Sequence, residues 1–157
     1  MRLTTRMASA VDVPVLVAMM GEFYAEADYA LDEAWATRSF LSLLGDPSRG
    51  AVCIACGDGV PLGYAVLTLR HSMEFGGLDG FIDDLFVRKA SRRLGVGRAA
   101  LEALLAECRR RGVLALHVET SDGNPAAVAL YESLGMRDRK RLLLTARLTD
   151  RRESPLA

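Results

Sequence analysis

The run VGRAALEALLAECRRR, residues 96–111, constrains the fold more than any other stretch. Leu101, Leu104, Leu105 and Cys108 recur at helical spacing and form one apolar stripe. Arg109, Arg110 and Arg111 load the last turn, where the helix dipole favours cations, and Gly112 follows as a stop. Ahead of the helix lie the strand-like FIDDLFV, residues 81–87, and the turn SRRLGVG, residues 91–97. A strand, a glycine-rich turn and a one-sided helix in this order need a sheet for the strand to join, with the helix packed on its face.

The flanking segments fit that layering. RLTTRMA reads as a first strand. SAVDVPVLVAMMGEFYAEA reads as a helix with Asp12 as cap and Pro14 in its first turn, and LDEAWATRSFLSLL as a second helix. GAVCIAC and PLGYAVLTLR are β-rich and joined by the hairpin signal GDGV; HSMEFGGLDG reads as a glycine-rich loop. VLALHVET is the next strand, Asn124 and Pro125 open a further helix that Gly135 closes, and RLLLTAR is a last strand. The pattern predicts one mixed α/β (α+β) domain over residues 1–150, followed by a polar tail over 151–157.

A net charge of zero gives no global attraction to nucleic acid or to an anionic membrane, and no apolar run approaches the ~20 residues of a bilayer span. Arg2 and Arg6 precede VPVLVAMM, but Asp12 and Pro14 interrupt it as a secretory signal, so the chain reads as cytoplasmic. CIAC, residues 53–56, matches C-x-x-C, yet it lies in a β run whose alternation sends the two sulfurs to opposite faces. With only two histidines in the chain, no metal is expected.

The turn itself carries chemistry. A helix start leaves unpaired amides under partial positive charge, and glycines let that backbone approach an oxyanion. Arg92, Arg93 and Arg98 add forked donors, which makes a pyrophosphate site. GVGRAA also fits the dinucleotide fingerprint G-x-G-x-x-A, with Glu119 downstream, but RKASRR separates it from its strand; a Walker A loop fails for lack of Gly-Lys-Ser/Thr.

Arg92-x-x-Gly95-x-Gly97, between a strand ending LFV and a long helix, resembles the acyl-CoA signature Q/R-x-x-G-x-G/A of the GCN5-related N-acetyltransferases (GNAT). NPAAVALYESLGM is similar to that family's later motif through Asn124, Ala127, Tyr131, Gly135 and Met136, and TRMASAVDVPVL to its usual opening. The resemblance implies a central mixed, mostly antiparallel sheet flanked by helices and splayed between the DLFV and ALHVET strands. Acetyl-CoA would be the cosubstrate, held in the splay. Leu85, Phe86 and Val87 would pair with the pantetheine arm, Arg92, Arg93, Leu94, Gly95, Val96, Gly97 and Arg98 would surround the pyrophosphate, and Asn124 and Tyr131 would touch the cofactor near the thiol. Tyr131 would protonate the leaving thiolate, although its helical spacing with Ala127, Leu130 and Leu134 also suits a core residue. Asp83 would be the general base and Asp84 a substrate contact, with strand alternation sending them to opposite faces. The acidic, aromatic segment with Tyr24, Glu26 and Tyr29 would shape a pocket for a small cationic amine. A protein lysine or N-terminal acetyltransferase, and an acyl-CoA-binding module without turnover, are the alternatives. Between Gly135 and LLLTAR only MRDRKR intervenes, so the family's C-terminal hairpin is shortened or lacks its first strand; such hairpins often build a homodimer contact.

Overall fold

The computed structural model describes residues 1–148; the end of the expected domain and the polar tail at 151–157 lie outside the described residues. Five strands form one sheet in sequence order: β1 (Leu3–Met7), β2 (Gly50–Gly57), β3 (Val60–Ser72), β4 (Gly77–Val87) and β5 (Ala115–Val118). Neighbours are antiparallel except β4 and β5, which run parallel. Helices α1 (Val13–Ala25) and α2 (Glu33–Leu44) cover one face, and α3 (Val96–Arg111) and α4 (Pro125–Ser133) the other.

Alternation along the strands feeds two cores. Val52, Ile54, Tyr64, Val66 and Phe86 face Leu16, Met19, Met20, Ala36 and Phe40 of α1 and α2. Cys53, Ala55, Ala65, Leu67 and Ile82 face Val96, Ala100, Leu101, Leu104 and Cys108 of α3. Leu16, Ile54, Leu67, Leu101 and Leu104 are almost fully buried, each contributing about 1.5–3 kcal/mol of transfer free energy. Cys53 and Cys56 thus point into different cores, as expected, and burial pushes the Cys53 thiol up to about 11.

Two expectations fail. HSMEFGGLDG is not a long loop: His71 pairs with Leu78 and Ser72 with Gly77, so the hairpin closes through residues 73–76. The extra rungs keep backbone groups paired that a loop would leave to water. Nor does RLLLTAR form a strand, since residues 136–148 adopt no regular structure and Leu142, Leu143, Leu144 and Leu148 are exposed. Three successive leucines lack the period-2 pattern that would fix one face inward. Arg141 tethers this segment to Glu74 in the β3–β4 turn at 2.8 and 3.0 Å.

The functional consequence of the fold lies in β4. It pairs with β5 only over Asp79–Ile82, whereas its pairing with β3 continues to Val87. β5 ends at Val118, opposite Ile82, and from this fork on residues 83–87 of β4 keep a ladder on one edge only. Below this fork, Asp79 clasps three strands together. Wholly buried, it accepts from Arg70 of β3 at 2.8 and 3.0 Å and lies 3.0 Å from His117 Nε2 of β5. The Arg70 guanidinium, followed by His117, holds the Asp79 carboxyl below the usual carboxylate range despite burial. Replacing Asp79 by alanine orphans both partners and is expected to cost about 2–3 kcal/mol at pH 7. In urea melts that deficit shrinks as pH falls below the ordinary carboxylate range, because the wild-type clasp is then protonated away; a pH-independent deficit would contradict the charge-based account.

Candidate active site

At the fork, the pairing slips. Val66 sits opposite Asp84 and Leu67 opposite Ile82, leaving Asp83 as an extra residue on β4. This bulge overturns the expectation that alternation sends Asp83 and Asp84 to opposite faces. After it, Asp84 and Phe86 point to the α1/α2 side, where the Tyr64 hydroxyl donates to Asp84 Oδ2 at 3.3 Å. Asp83 is exposed beside it.

The two carboxyls differ sharply. Burial, then the neighbouring Asp83 charge, raise Asp84 from 3.8 to about 7, and the Tyr64 hydrogen bond only partly offsets them. Asp83 is raised by desolvation alone. Tyr64, fully buried between Phe40 and Phe86, keeps its proton: desolvation and the Asp84 charge both push its phenol up. No sequence signal marks Tyr64, which lies in an ordinary strand and meets Asp84 only through cross-strand packing.

Tyr131 lies across the sheet in the α3/α4 core, only 7% exposed. Burial raises its phenol. Its hydroxyl makes no hydrogen bond among the described residues, yet no fully buried side-chain oxygen or nitrogen there lacks a partner. The Tyr131 hydroxyl therefore reaches open space from an otherwise buried ring. Carboxylates on one face of the fork and a phenol on the other bracket the gap between β4 and β5.

The turn after β4 supplies the next wall. Arg93 and Gly95 are left-handed, at φ 64° and 84°. The first intrahelical bond of α3 runs from Ala99 N to Gly95 O at 2.9 Å, leaving the amides of Val96, Gly97 and Arg98 for a ligand. These amides, with the one-sided β4 edge over Leu85–Val87, fit a diphosphate on an extended arm that hydrogen-bonds like a strand. Leu94 is half-exposed, whereas the Val96 side chain is buried in the core.

The arginines are less available than expected. Arg92 donates to the Val87 carbonyl at 2.9 Å and to Glu26, the residue that follows α1. Arg98 donates to Ser133 at 2.7 Å and pairs with Glu102, joining α3 to α4. Arg93, exposed in the turn, makes no ion pair or hydrogen bond through its side chain among the described residues. Arg88 pairs with Glu22 at 3.0 Å and donates to the Pro61 carbonyl. Glu22 and Glu26, part of the expected acidic pocket, are thus ion-paired to the turn. Tyr24 packs edge-on against Phe23, with ring centroids 6.2 Å apart, and Tyr29 is 36% exposed beyond the end of α1. Asn124 caps α4 by accepting from Ala127 N at 3.2 Å.

The acetyltransferase (GNAT) family model matches residues 16–136. The chain is 51% identical over 47 residues to the ribosomal protein bS18-alanine N-acetyltransferase of Escherichia coli K12, a match covering 30% of this chain and about a third (32%) of that relative. It is 30% identical over 144 residues to aminoglycoside N(6')-acetyltransferase type 1 of Stenotrophomonas maltophilia, covering 89% of this chain and 90% of that one. Among solved structures, an integron cassette protein from the mobile metagenome of Cole Harbour Salt Marsh superimposes with a TM-score of 0.85 at 43% identity, over 92% of this chain and 90% of that one.

Two outcomes test this geometry. Gly95→Ala is expected to cost about 1–2 kcal/mol, because φ of 84° is left-handed. Gly97→Ala should stay near wild type: its added Cβ meets Leu130 at 3.4 Å and Val87 at 3.5 Å, ordinary contacts, and alanine favours the helix. Denaturant midpoints check both, and equal losses would refute the distinction. For Asp84, the folded carboxyl at about 7 holds a proton that the unfolded chain sheds near 3.8, so stability falls as pH rises between those values and then levels. Asp84→Asn should therefore raise the melting temperature by several degrees at pH 8 and leave it little changed at pH 4.

Proposed function

Because the chain belongs to the acetyltransferase (GNAT) family, we propose that it is an acetyl-CoA-dependent N-acetyltransferase that acetylates a primary amine presented at Asp83–Asp84. The observation that carries this reading is the bulged carboxylate pair at the fork, one member of which titrates near neutrality. Bound acetyl-CoA supplies an acetyl group activated as a thioester. The amides of Val96, Gly97 and Arg98 and exposed Arg93 hold its diphosphate, and the free edge of Leu85–Val87 orients its arm.

An amine reaches the site as an ammonium and must lose a proton before it can attack. We assign that proton to Asp84 rather than Asp83, reversing the roles the family resemblance implies. A carboxyl near 7 is matched to proton transfer at neutral pH, and Asp84 is the more strongly raised of the pair. Exposed Asp83 then orients the ammonium, and its charge helps keep Asp84 basic. A backbone amide at Leu85 or Phe86 faces the oxygen that gains charge. On the other side of the gap, Tyr131 holds a proton at Oη for the leaving thiolate, and its raised phenol keeps that proton at neutral pH.

The small cationic acceptor expected from the acidic segment loses support, since arginines neutralise Glu22 and Glu26. The ammonium itself remains the cationic feature that the carboxylates would read. The local identity to an alanine N-acetyltransferase favours a second reading, in which the amine is a peptide N-terminus.

Thiol-release assays over a panel of amines and short peptides test the proposal. Tyr131→Phe should lower turnover at least about tenfold while the thermal shift with acetyl-CoA stays near wild type. The alkaline rise of the pH–rate curve should vanish in Asp84→Asn. In Asp83→Asn it should persist with its midpoint moved to lower pH, because a like charge has been removed. A midpoint that ignores Asp83, or a rise that survives Asp84→Asn, would remove the pair from the mechanism.

A further inference from the structure

Between α2 and the sheet lies an open groove of about 470 Å³, whose lining includes Trp35, Arg38, Ser39, Ser42, Arg49 and Thr68. Its cationic groups are not equivalent. Arg49 is committed to Asp46 at 3.2 Å and to Ser42 at 2.7 Å. Arg70, on the same sheet face, is held by Asp79 with its guanidinium 4.8 Å from the centre of the Phe81 ring. Arg38 is exposed and has no ion pair or hydrogen bond among the described residues. No carboxylate lines the groove, and its hydroxyls add neutral donors around that one uncommitted guanidinium.

The groove and Asp84 lie on the same face of the sheet. Val66 pairs with Asp84 and Thr68 with Phe81. Two steps along β3 bring Val66 and Thr68 onto one face about 6–7 Å apart. Thr68 of the groove wall is therefore two residues along β3 from Val66, the residue paired with Asp84. An extended chain whose amine sits at Asp84 advances about 3.3 Å per residue, which sets its third residue beside Thr68.

We propose that this groove binds an anionic group of the acceptor. The acceptor is then an extended, peptide-like amine carrying a carboxylate about two residues from its amino group, with Arg38 as the specificity-determining residue. The inference rests on the acetyltransferase reading and deepens it. Opposite charges on one side of the sheet, carboxylates at the fork and a guanidinium on α2, give such a molecule one orientation.

The chain's single tryptophan, Trp35, lines this groove, so its fluorescence reports occupancy without any need for turnover. The probes are the amidated tripeptides Ala-Ala-Glu and Ala-Ala-Gln, titrated into the protein saturated with CoA and then assayed with acetyl-CoA. The glutamyl peptide is expected to change Trp35 emission and to bind about fivefold more tightly than the glutaminyl one, with a matching preference in kcat/KM. Arg38→Gln should abolish the preference while leaving the glutaminyl peptide's rate and the acetyl-CoA thermal shift intact, and Arg38→Glu should reverse it. Equal binding of both peptides, or a preference that survives Arg38→Gln, would overturn the proposal. Acetylation of both at equal rates would sink the groove and keep the acetyltransferase reading. An Arg38-dependent preference in fluorescence with no acetylation of either would do the opposite.

Discussion

The site depends on the parting of β4 from β5 after Ile82. β5 stops at Val118, opposite Ile82, and beyond that rung the backbone groups of β4 on this edge have no strand partner. Here β4 runs on for five residues, Asp83–Val87, with β3 alone. Two features hold that arrangement open. Below the fork, Asp79 binds β3, β4 and β5 through Arg70 and His117, so the strands stay together where they must. Above it, Phe86 and Ile82 anchor β4 in opposite cores, fixing its course without a β5 partner.

The bulge at Asp83 turns this backbone feature into chemistry. Without the extra residue, one carboxylate of the pair would enter the α3/α4 core, where ionisation is costly. With it, both belong to the open side, close enough for the charge of one to raise the pKa of the other. The buried Tyr64 hydroxyl supports Asp84 without neutralising it. Stability is sacrificed for this, since an ionised Asp84 destabilises the fold above neutrality. Such a locally unfavourable group is expected where a function needs it.

Much of the fold was legible in the sequence because its signals were local. The stripe Leu101, Leu104 and Cys108 fixed a helix face, Asn124 and Pro125 marked a helix start, and GDGV marked a hairpin. The glycine pattern also marked a turn, with Gly95 left-handed where a side chain would be strained. What stayed hidden was set by pairing between distant segments. The bulge exists only in the register between β3 and β4, so adjacent aspartates read as alternating until Val66 is seen opposite Asp84. The partners of Glu22 and Glu26 lie 66 residues away, which no spacing rule reaches. RLLLTAR has strand-like composition, yet composition alone does not supply a partner edge.

Charge follows the same logic. A count of acidic residues near α1 suggested a surface that attracts cations, but electrostatic character depends on what remains after internal pairing. Arg88 and Arg92 cancel Glu22 and Glu26 and tie α1 to the turn that opens α3. The end of α1 and the segment leading into α3 are therefore joined by these two ion pairs. Among the described charges without an internal partner are exposed Arg93 in that turn and Arg38 on α2, while the fork carboxylates stand apart from both. If the amine sits at those carboxylates, an anionic group elsewhere on the acceptor would find its complement at Arg38, which favours a dipolar acceptor.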